Sequence, residues 1–149
     1  MSDHETDIEE RQNRHPLLKR RIESILNIAE NTSGDINIAD DAEFHVIDEV
    51  RRMGNVIMHE WVSERESVKA DELRRDNENI VGHGKRKIYW HTTFGTITVC
   101  ERVFLQEGHL IRPFSGTAEV TCRSYSQPLQ RRITDFGADI PFGKVSEKL

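Results

Sequence analysis

The spacing of apolar residues changes once along this chain, and that change limits the folds open to it. Between Pro16 and Trp61, apolar side chains recur at intervals of three and four residues, the period of an amphipathic helix, and a segment rich in helix formers continues to about Arg75. From residue 85 to residue 106 apolar side chains alternate with polar ones, the period of a strand. These consecutive blocks predict an α+β fold, with an N-terminal helical arm followed by a small antiparallel β-sheet and C-terminal helices.

The first block predicts a disordered tail over residues 1–15 and a helical region over residues 16–78. The tail contains one apolar side chain, Ile8, so little can offset the entropy of ordering it. Pro16 suits the first turn of a short helix, which we expect to end near residues 31–34. Asp40 and Asp41 are typical of the N-cap of a long helix that continues to about Arg75.

The long helix has a broad apolar face. That face is formed mainly by Phe44, Ile47, Val50, Ile57 and Trp61. It is wider than one short helix can cover, which favours a homo-oligomer that pairs through the 40–75 helix.

The second block, residues 79–149, predicts a hairpin, a small sheet and C-terminal helices. KRKIYWHTT and TITVCERVFLQ both alternate, and Phe94-Gly95 between them predicts a turn. HLIRPF and TAEVTCRSY add one or two short strands, and Gln127-Pro128 opens a helix. Another helix begins at Pro141 and stops after barely two turns, so we expect this region to be incomplete at its C-terminus.

Composition and charge restrict the cellular compartment of the protein and its binding partners. No apolar run is long enough to span a bilayer and the N-terminus is acidic and polar, so we expect a cytoplasmic protein without membrane contact. Cys100 and Cys122 are expected to be small core side chains with free thiols. Residues 81–149 have a net charge of +4, whereas residues 1–80 have −9. Contact with a polyanion is therefore expected only through the second half.

Catalytic motifs are absent from the sequence pattern. The seven histidines and two cysteines lack the CxxC, HxxxH or HExxH spacing of zinc sites, and GHGK is too short for a phosphate-binding loop. The predicted strands offer two carboxylates, Glu101 and Glu119, while Asp135 and Asp139 share a helix face. Solvated surface explains such acidic residues well. We expect no catalytic residues, no metal site, no cofactor and no enzymatic activity.

Basic residues of the second half, interleaved with Tyr89 and Trp90, predict a DNA-binding surface. The predicted contacts are Lys85, Arg86, Lys87, Arg102, Arg112, Arg123, Arg131 and Arg132. Ordinary packing of the aromatic rings and ordinary solvation of the charges would explain the same pattern.

Three longer segments add a resemblance: WHTTFG with the following ITVCERVF, the IRPFS turn, and CRSYSQPLQRRITDFGADIPF. Together they resemble the region that precedes the catalytic domain in the ISKra group of insertion-sequence transposases. The resemblance covers roughly the last 65 residues. It implies a role in DNA transposition and DNA binding at the ends of the mobile genetic element.

Larger relatives carry a ribonuclease-H-like domain with an acidic metal-binding triad further along the chain, and no acidic residue here matches that triad. The resemblance therefore implies a non-catalytic N-terminal transposase fragment, whether a truncated gene, a first reading frame or an excised piece. The alternative from the residues alone is a helix-mediated protein-interaction or oligomerisation module that does not bind DNA.

Overall fold

The computed structural model of the chain describes residues 3–30, 37–121 and 123–139. Over these residues helices precede a three-stranded antiparallel sheet and two further helices follow it, which confirms the predicted α+β class. The elements are α1 (Asp3–Arg14), α2 (Pro16–Glu30), α3 (Ala39–Asp76), β1 (Val81–Thr92), β2 (Gly95–Gln106), β3 (His109–Ile111), α4 (Pro113–Ala118) and α5 (Gln127–Asp139). The chain forms two compact units, residues 1–58 and residues 59–149, which divide within α3.

The predicted disordered tail is instead helical from Asp3 to Arg14. Glu, Gln and Arg are good helix formers, and Asp7 lies one turn before Arg11 with 3.9 Å between their charged atoms. Lys19 of α2 also donates a hydrogen bond of 3.0 Å to the side chain of Asn13. Local propensity and contact with α2 therefore order a segment that has almost no apolar residues to bury.

The unit formed by residues 1–58 has no buried apolar side chain among the residues described. Apolar residues of α2 and of the first half of α3 are all half-buried or exposed, and only Gly54, which has no side chain, is buried. Arg21 of α2 and Glu49 of α3 form an ion pair at 3.2 Å. The predicted end of the first helix at residues 31–34 lies outside the described residues.

The second unit is built on the predicted hairpin. β1 and β2 pair in register from Lys85 opposite Arg102 to Thr92 opposite Gly95. The Thr92 hydroxyl closes the turn by donating a hydrogen bond of 2.8 Å to the Gly95 carbonyl. GHGK, which breaks the helical pattern, lies inside β1, and the register shifts between Gly82 and Lys85. Gly84 has a φ of +97°, a conformation that glycine adopts readily, so it permits this bulge.

One side of the hairpin, its core face, carries the main apolar cluster. Ile88, Ile97 and Val99 are buried there together with Val103, as the alternation predicts. Phe114 of α4 is buried too, and its ring makes an edge contact with Trp61 of α3 at 6.5 Å between ring centroids. This cluster positions the strands on which the candidate site lies.

The opposite side of the hairpin, its outer face, is divided between buried and exposed parts. Phe104, which the alternation places away from the core, is buried, and the guanidinium of Arg74 in α3 lies 5.4 Å from its ring centroid. The second half of α3 therefore covers this end of the face. The other end, near the hairpin turn, stays exposed and carries Tyr89, Thr98 and Cys100.

For the segments after the hairpin, the structure agrees in part with the prediction from the sequence. The strand predicted in HLIRPF is β3, and Pro113 begins α4 immediately afterwards because proline suits the first turn of a helix. TAEVTCRSY was expected to form a strand. Among its described residues only Tyr125 pairs with the sheet, through one isolated bridge to His91. The helix predicted at Pro141 lies outside the described residues.

The length and hydropathy of the helices bear on membrane insertion. Within residues 3–30, 37–121 and 123–139, no helix is both long and apolar enough to cross a bilayer.

Candidate nucleic-acid interface

The eight cationic residues predicted to bind DNA do not form one cluster, and Arg102 is occupied within the fold. Its backbone N–H and its guanidinium Nε both donate to a carboxylate oxygen of Glu66, at 2.8 and 3.1 Å. The remaining guanidinium nitrogens reach Asp71 at 3.3 Å and the Ser67 carbonyl at 3.2 Å. The hydrogen bond to Glu66 is the main cause of a raised Arg102 pKa. Arg102 thus links β2 to α3, and its guanidinium is engaged within the fold.

Arg86 is directed towards the core face. Its Nε is buried and lies 3.9 Å from the carboxylate of Glu101, which is fully buried. Glu101 in turn accepts hydrogen bonds from the backbone N–H of Ser115 at 2.7 Å and from the Ser115 hydroxyl at 3.0 Å. These contacts attach α4 to β2. Glu101 and the half-buried Arg86 therefore lie on the core face and not on the outer face of the hairpin.

Two other predicted cations, Lys85 and Lys87, lie on the outer face of β1 and are exposed. Tyr89 and His91 follow them on the same face at intervals of two residues. Across the hairpin, Lys87 lies opposite Cys100. The outer-face residues near the turn, all neutral or basic, are Lys87, Tyr89, His91, Thr96, Thr98 and Cys100. These six residues therefore provide one lysine, two rings, two threonine hydroxyl groups and a thiol, and none of them is a carboxylate.

The segment before α5 is attached to the edge of β1 at His91. The His91 N–H donates to the Ser124 carbonyl and the Ser126 N–H donates to the His91 carbonyl, both at 2.8 Å. The Tyr125 ring lies 5.1 Å from the imidazole of His91, with 37° between the ring planes. The sequence indicated none of these contacts, because they join residues more than thirty positions apart.

This attachment connects three further predicted cations to β1. Arg123 lies in the turn before the bridge, and Arg131 and Arg132 lie on α5, which contacts β1. All three are exposed. The Arg132 guanidinium lies 5.8 Å from the ring centroid of Phe136, and the exposed Asp135 reduces the positive charge towards the end of α5.

We use the name β1–α5 surface for a set of exposed or half-buried cations and rings on the outer face of β1, in the segment attached to it and on α5, which contacts it. Its members are Lys85, Lys87, Tyr89, His91, Arg123, Tyr125, Arg131 and Arg132. Arg112, the remaining predicted contact, follows β3 at the opposite edge of the sheet. Five of the eight predicted cations thus belong to the surface, two are turned inward and one lies elsewhere.

The acidic and cysteine residues considered from the sequence are dispersed. Within the described ranges, no three His, Cys, Asp or Glu side chains come together in a way that would suit a metal ion. Glu119 is exposed at the end of α4 and has a φ of +54°, whereas Glu101 is buried. Cys100 is exposed on the outer face, so the expectation of a core side chain is wrong for it. Cys122 lies outside the described residues.

Comparisons of the chain with protein-family models, curated proteins and solved structures found no match.

Proposed function

We propose that this chain binds DNA through the β1–α5 surface, with the role of a non-catalytic N-terminal region of an ISKra-type transposase. The observation that carries the proposal is the attachment of residues 124–126 to His91, which brings the cations of β1 and of α5 onto connected elements. Cations grouped in this way can neutralise neighbouring phosphates and release their counterions, which is the main source of affinity for DNA.

The charge of the whole chain makes a local surface necessary. The net charge is −5 and the excess of acid lies before residue 81, so the chain as a whole repels a polyanion. Five exposed cations on the β1–α5 surface provide attraction at one place. A two-stranded antiparallel ribbon or an α-helix fits the major groove of a duplex, and this surface contains both elements.

The proposed DNA binding uses two kinds of contact, one that positions the protein on the duplex and one that reads the base sequence. Lysine and arginine contacts to phosphates fix the register of a protein on DNA but carry no sequence information themselves. Hydroxyl groups at Thr96 and Thr98 lie beside them on the outer face and can hydrogen-bond to base edges. The ends of the mobile element are the DNA that the resemblance to ISKra transposases suggests.

The proposal is tested by charge reversal at Arg131 and Arg132 together. Binding of the purified chain to a fluorescent duplex from the element ends is measured by anisotropy at low salt, beside a scrambled duplex. We expect R131E/R132E to weaken binding at least tenfold and to leave the circular dichroism spectrum unchanged. The matched control is R65E/R75E, which makes the same charge change at two exposed residues of α3. Equal weakening by both variants, or none by R131E/R132E, would contradict the assignment of this surface.

A second candidate function is self-association through the first half of α3. The observation that favours it is the exposure of an apolar face: Phe44 is 71% exposed and Ile47 is 56% exposed, with Val50 and Ile57 beside them at 43% each. Residues 1–58 bury no apolar side chain among those described, so packing within that unit does little to stabilise it. A second copy would cover this face by helix pairing.

Light scattering coupled to gel filtration tests this second candidate. We expect a dimer or larger assembly that becomes monomeric in F44D/I47D. The control is L110D, since Leu110 of β3 is similarly exposed at 51% but lies in the other unit. A monomer at tens of micromolar protein would remove self-association and leave the DNA proposal unaffected.

A further inference from the structure

We infer that Tyr89 and Tyr125 form a stacking platform for unpaired bases, so that the β1–α5 surface takes single-stranded nucleic acid in preference to a closed duplex. This inference rests on the proposed function and specifies the form of nucleic acid that the surface accepts. It starts from the fact that these two residues are the chain's only tyrosines and both are exposed, at 41% and 51%. Exposed rings beside cations offer flat faces on which bases can stack.

The second ring is held in position before any ligand binds. Backbone hydrogen bonds of 2.8 Å on both sides of Tyr125 fix residues 124–126 against His91. The Tyr125 ring leans on the imidazole at 5.1 Å, and that imidazole contacts the Thr96 hydroxyl through Nδ1 at 3.0 Å. A ring fixed in this way loses little conformational entropy when a base stacks on it.

The spacing of side chains along β1 favours a nucleic-acid strand that is extended, with its bases unstacked. Tyr89 and His91 are two residues apart on one face, about 7 Å along a strand. Tyr125 pairs with His91, so the positions of Tyr89 and Tyr125 are separated along β1 by about the same distance. Bases stacked in a duplex lie about 3.4 Å apart along each strand, half of that distance. Successive bases can therefore occupy successive rings only when the nucleic acid is extended and unstacked.

Charge and polarity around the rings suit the same ligand. Lys87 and Lys85 continue the row of residues on the outer face beyond Tyr89, and Arg123 lies two residues before Tyr125. Thr98 and Thr96 lie opposite Tyr89 and His91 across the hairpin and add hydroxyl groups to this face. Aromatic platforms flanked by cations bind single strands with little sequence preference, because every base has a face that can stack.

The test compares a fluorescent 12-residue oligothymidine with a duplex of the same length, using anisotropy at one salt concentration. We expect tighter binding of the single strand, weakened about tenfold by either Tyr89→Ala or Tyr125→Ala, with duplex affinity changed less than twofold. The controls Y89F and Y125F keep the rings and should keep single-strand affinity within twofold. Circular dichroism of each variant verifies that the fold is retained.

A second readout does not depend on mutation. The chain labelled with 3-fluorotyrosine has two ¹⁹F resonances, one for each tyrosine, and both should move on addition of oligothymidine. Binding of the duplex alone, or single-strand affinity that the alanine variants leave unchanged, would overturn the platform and preserve DNA binding as the function. Absence of binding to both nucleic acids would overturn the platform and the proposed function together.

Discussion

Glu66 and Arg102 are joined by two hydrogen bonds, one from the Arg102 backbone N–H at 2.8 Å and one from its guanidinium Nε at 3.1 Å. Glu66 is 8% exposed, so this carboxylate is largely withdrawn from water. The contact fixes the second half of α3 on the end of the outer face that Phe104 occupies. The other end of that face remains open for a ligand, and the candidate interface depends on this division.

Removal of Glu66 should therefore destabilise the fold. Glu66→Ala leaves a backbone N–H and a largely covered guanidinium without their main acceptor, which should lower the free energy of unfolding by about 2 to 3 kcal/mol. Asp71→Ala removes a partner of the same guanidinium whose side chain is 64% exposed, and should cost less than about 1 kcal/mol. Urea denaturation measures both values. Similar costs for the two variants would show that Glu66 is not the main link.

Glu101 should be as sensitive to mutation, for a different reason. Its buried carboxylate accepts hydrogen bonds from the Ser115 backbone N–H and hydroxyl and lies 3.9 Å from Arg86 Nε. Glu101→Ala leaves the two Ser115 donors without that acceptor and Arg86 without its nearby carboxylate, and should cost about 3 kcal/mol or more in the free energy of unfolding. Glu119→Ala removes an exposed carboxylate close by in the sequence, and a change below about 0.5 kcal/mol is expected in the same denaturation experiment.

Adjacent residues of β1 should respond in opposite ways because they face opposite sides of the sheet. Trp90 is half-buried on the core face, so Trp90→Ala should cost about 2 kcal/mol or more in thermal or urea unfolding. Tyr89 is 41% exposed on the outer face, and its replacement by alanine should cost less than half as much. The reverse order would mean that the two faces of the hairpin have been assigned the wrong way round.

The pH dependence of one carboxyl group gives a local test of α3. The hydrogen bond that Lys69 donates to Glu72, at 2.8 Å, is the main reason why the pKa of Glu72 lies below its ordinary value of 4.5. A lowered pKa in the folded state means that this contact stabilises the fold above pH 4.5 and that the contribution is lost as the pH falls through the folded pKa. Carboxyl ¹³C shifts should report a Glu72 pKa below 4.5 that returns towards 4.5 in Lys69→Ala. An unchanged value in the variant would contradict the ion pair.

The parts of the fold that could be predicted from sequence are those set by local periodicity. Alternation over Ile88 to Thr92 and Ile97 to Val103 gives the hairpin and its core face, because side chains on a strand alternate between two sides. The prediction of a disordered tail over residues 1–15 was wrong because it used apolar content as its criterion. Helix propensity and the Asp7–Arg11 ion pair stabilise α1 instead. Apolar periodicity alone says little about an element that helix propensity and polar contacts stabilise.

The candidate site could be predicted only as a list of residue types. Arg86 and Arg102 look like Lys85 and Lys87 in the sequence, and contacts with Glu101 and Glu66 separate them. A carboxylate between two apolar residues on the buried side of β2 was a usable signal, since Glu101 shares the spacing of Val99 and Val103. The bridge between His91 and Tyr125 had no such signal.

The salt dependence of duplex affinity tests the central claim most directly. If the five exposed cations of the β1–α5 surface contact phosphates, the logarithm of the association constant should fall with the logarithm of salt concentration at a slope of about −3 to −5. Replacing Lys85 and Lys87 by glutamine should make that slope shallower by about 2, whereas glutamine at Arg65 and Arg75 should leave it unchanged. A slope near zero, or the same slope in all three proteins, would contradict DNA binding through this surface.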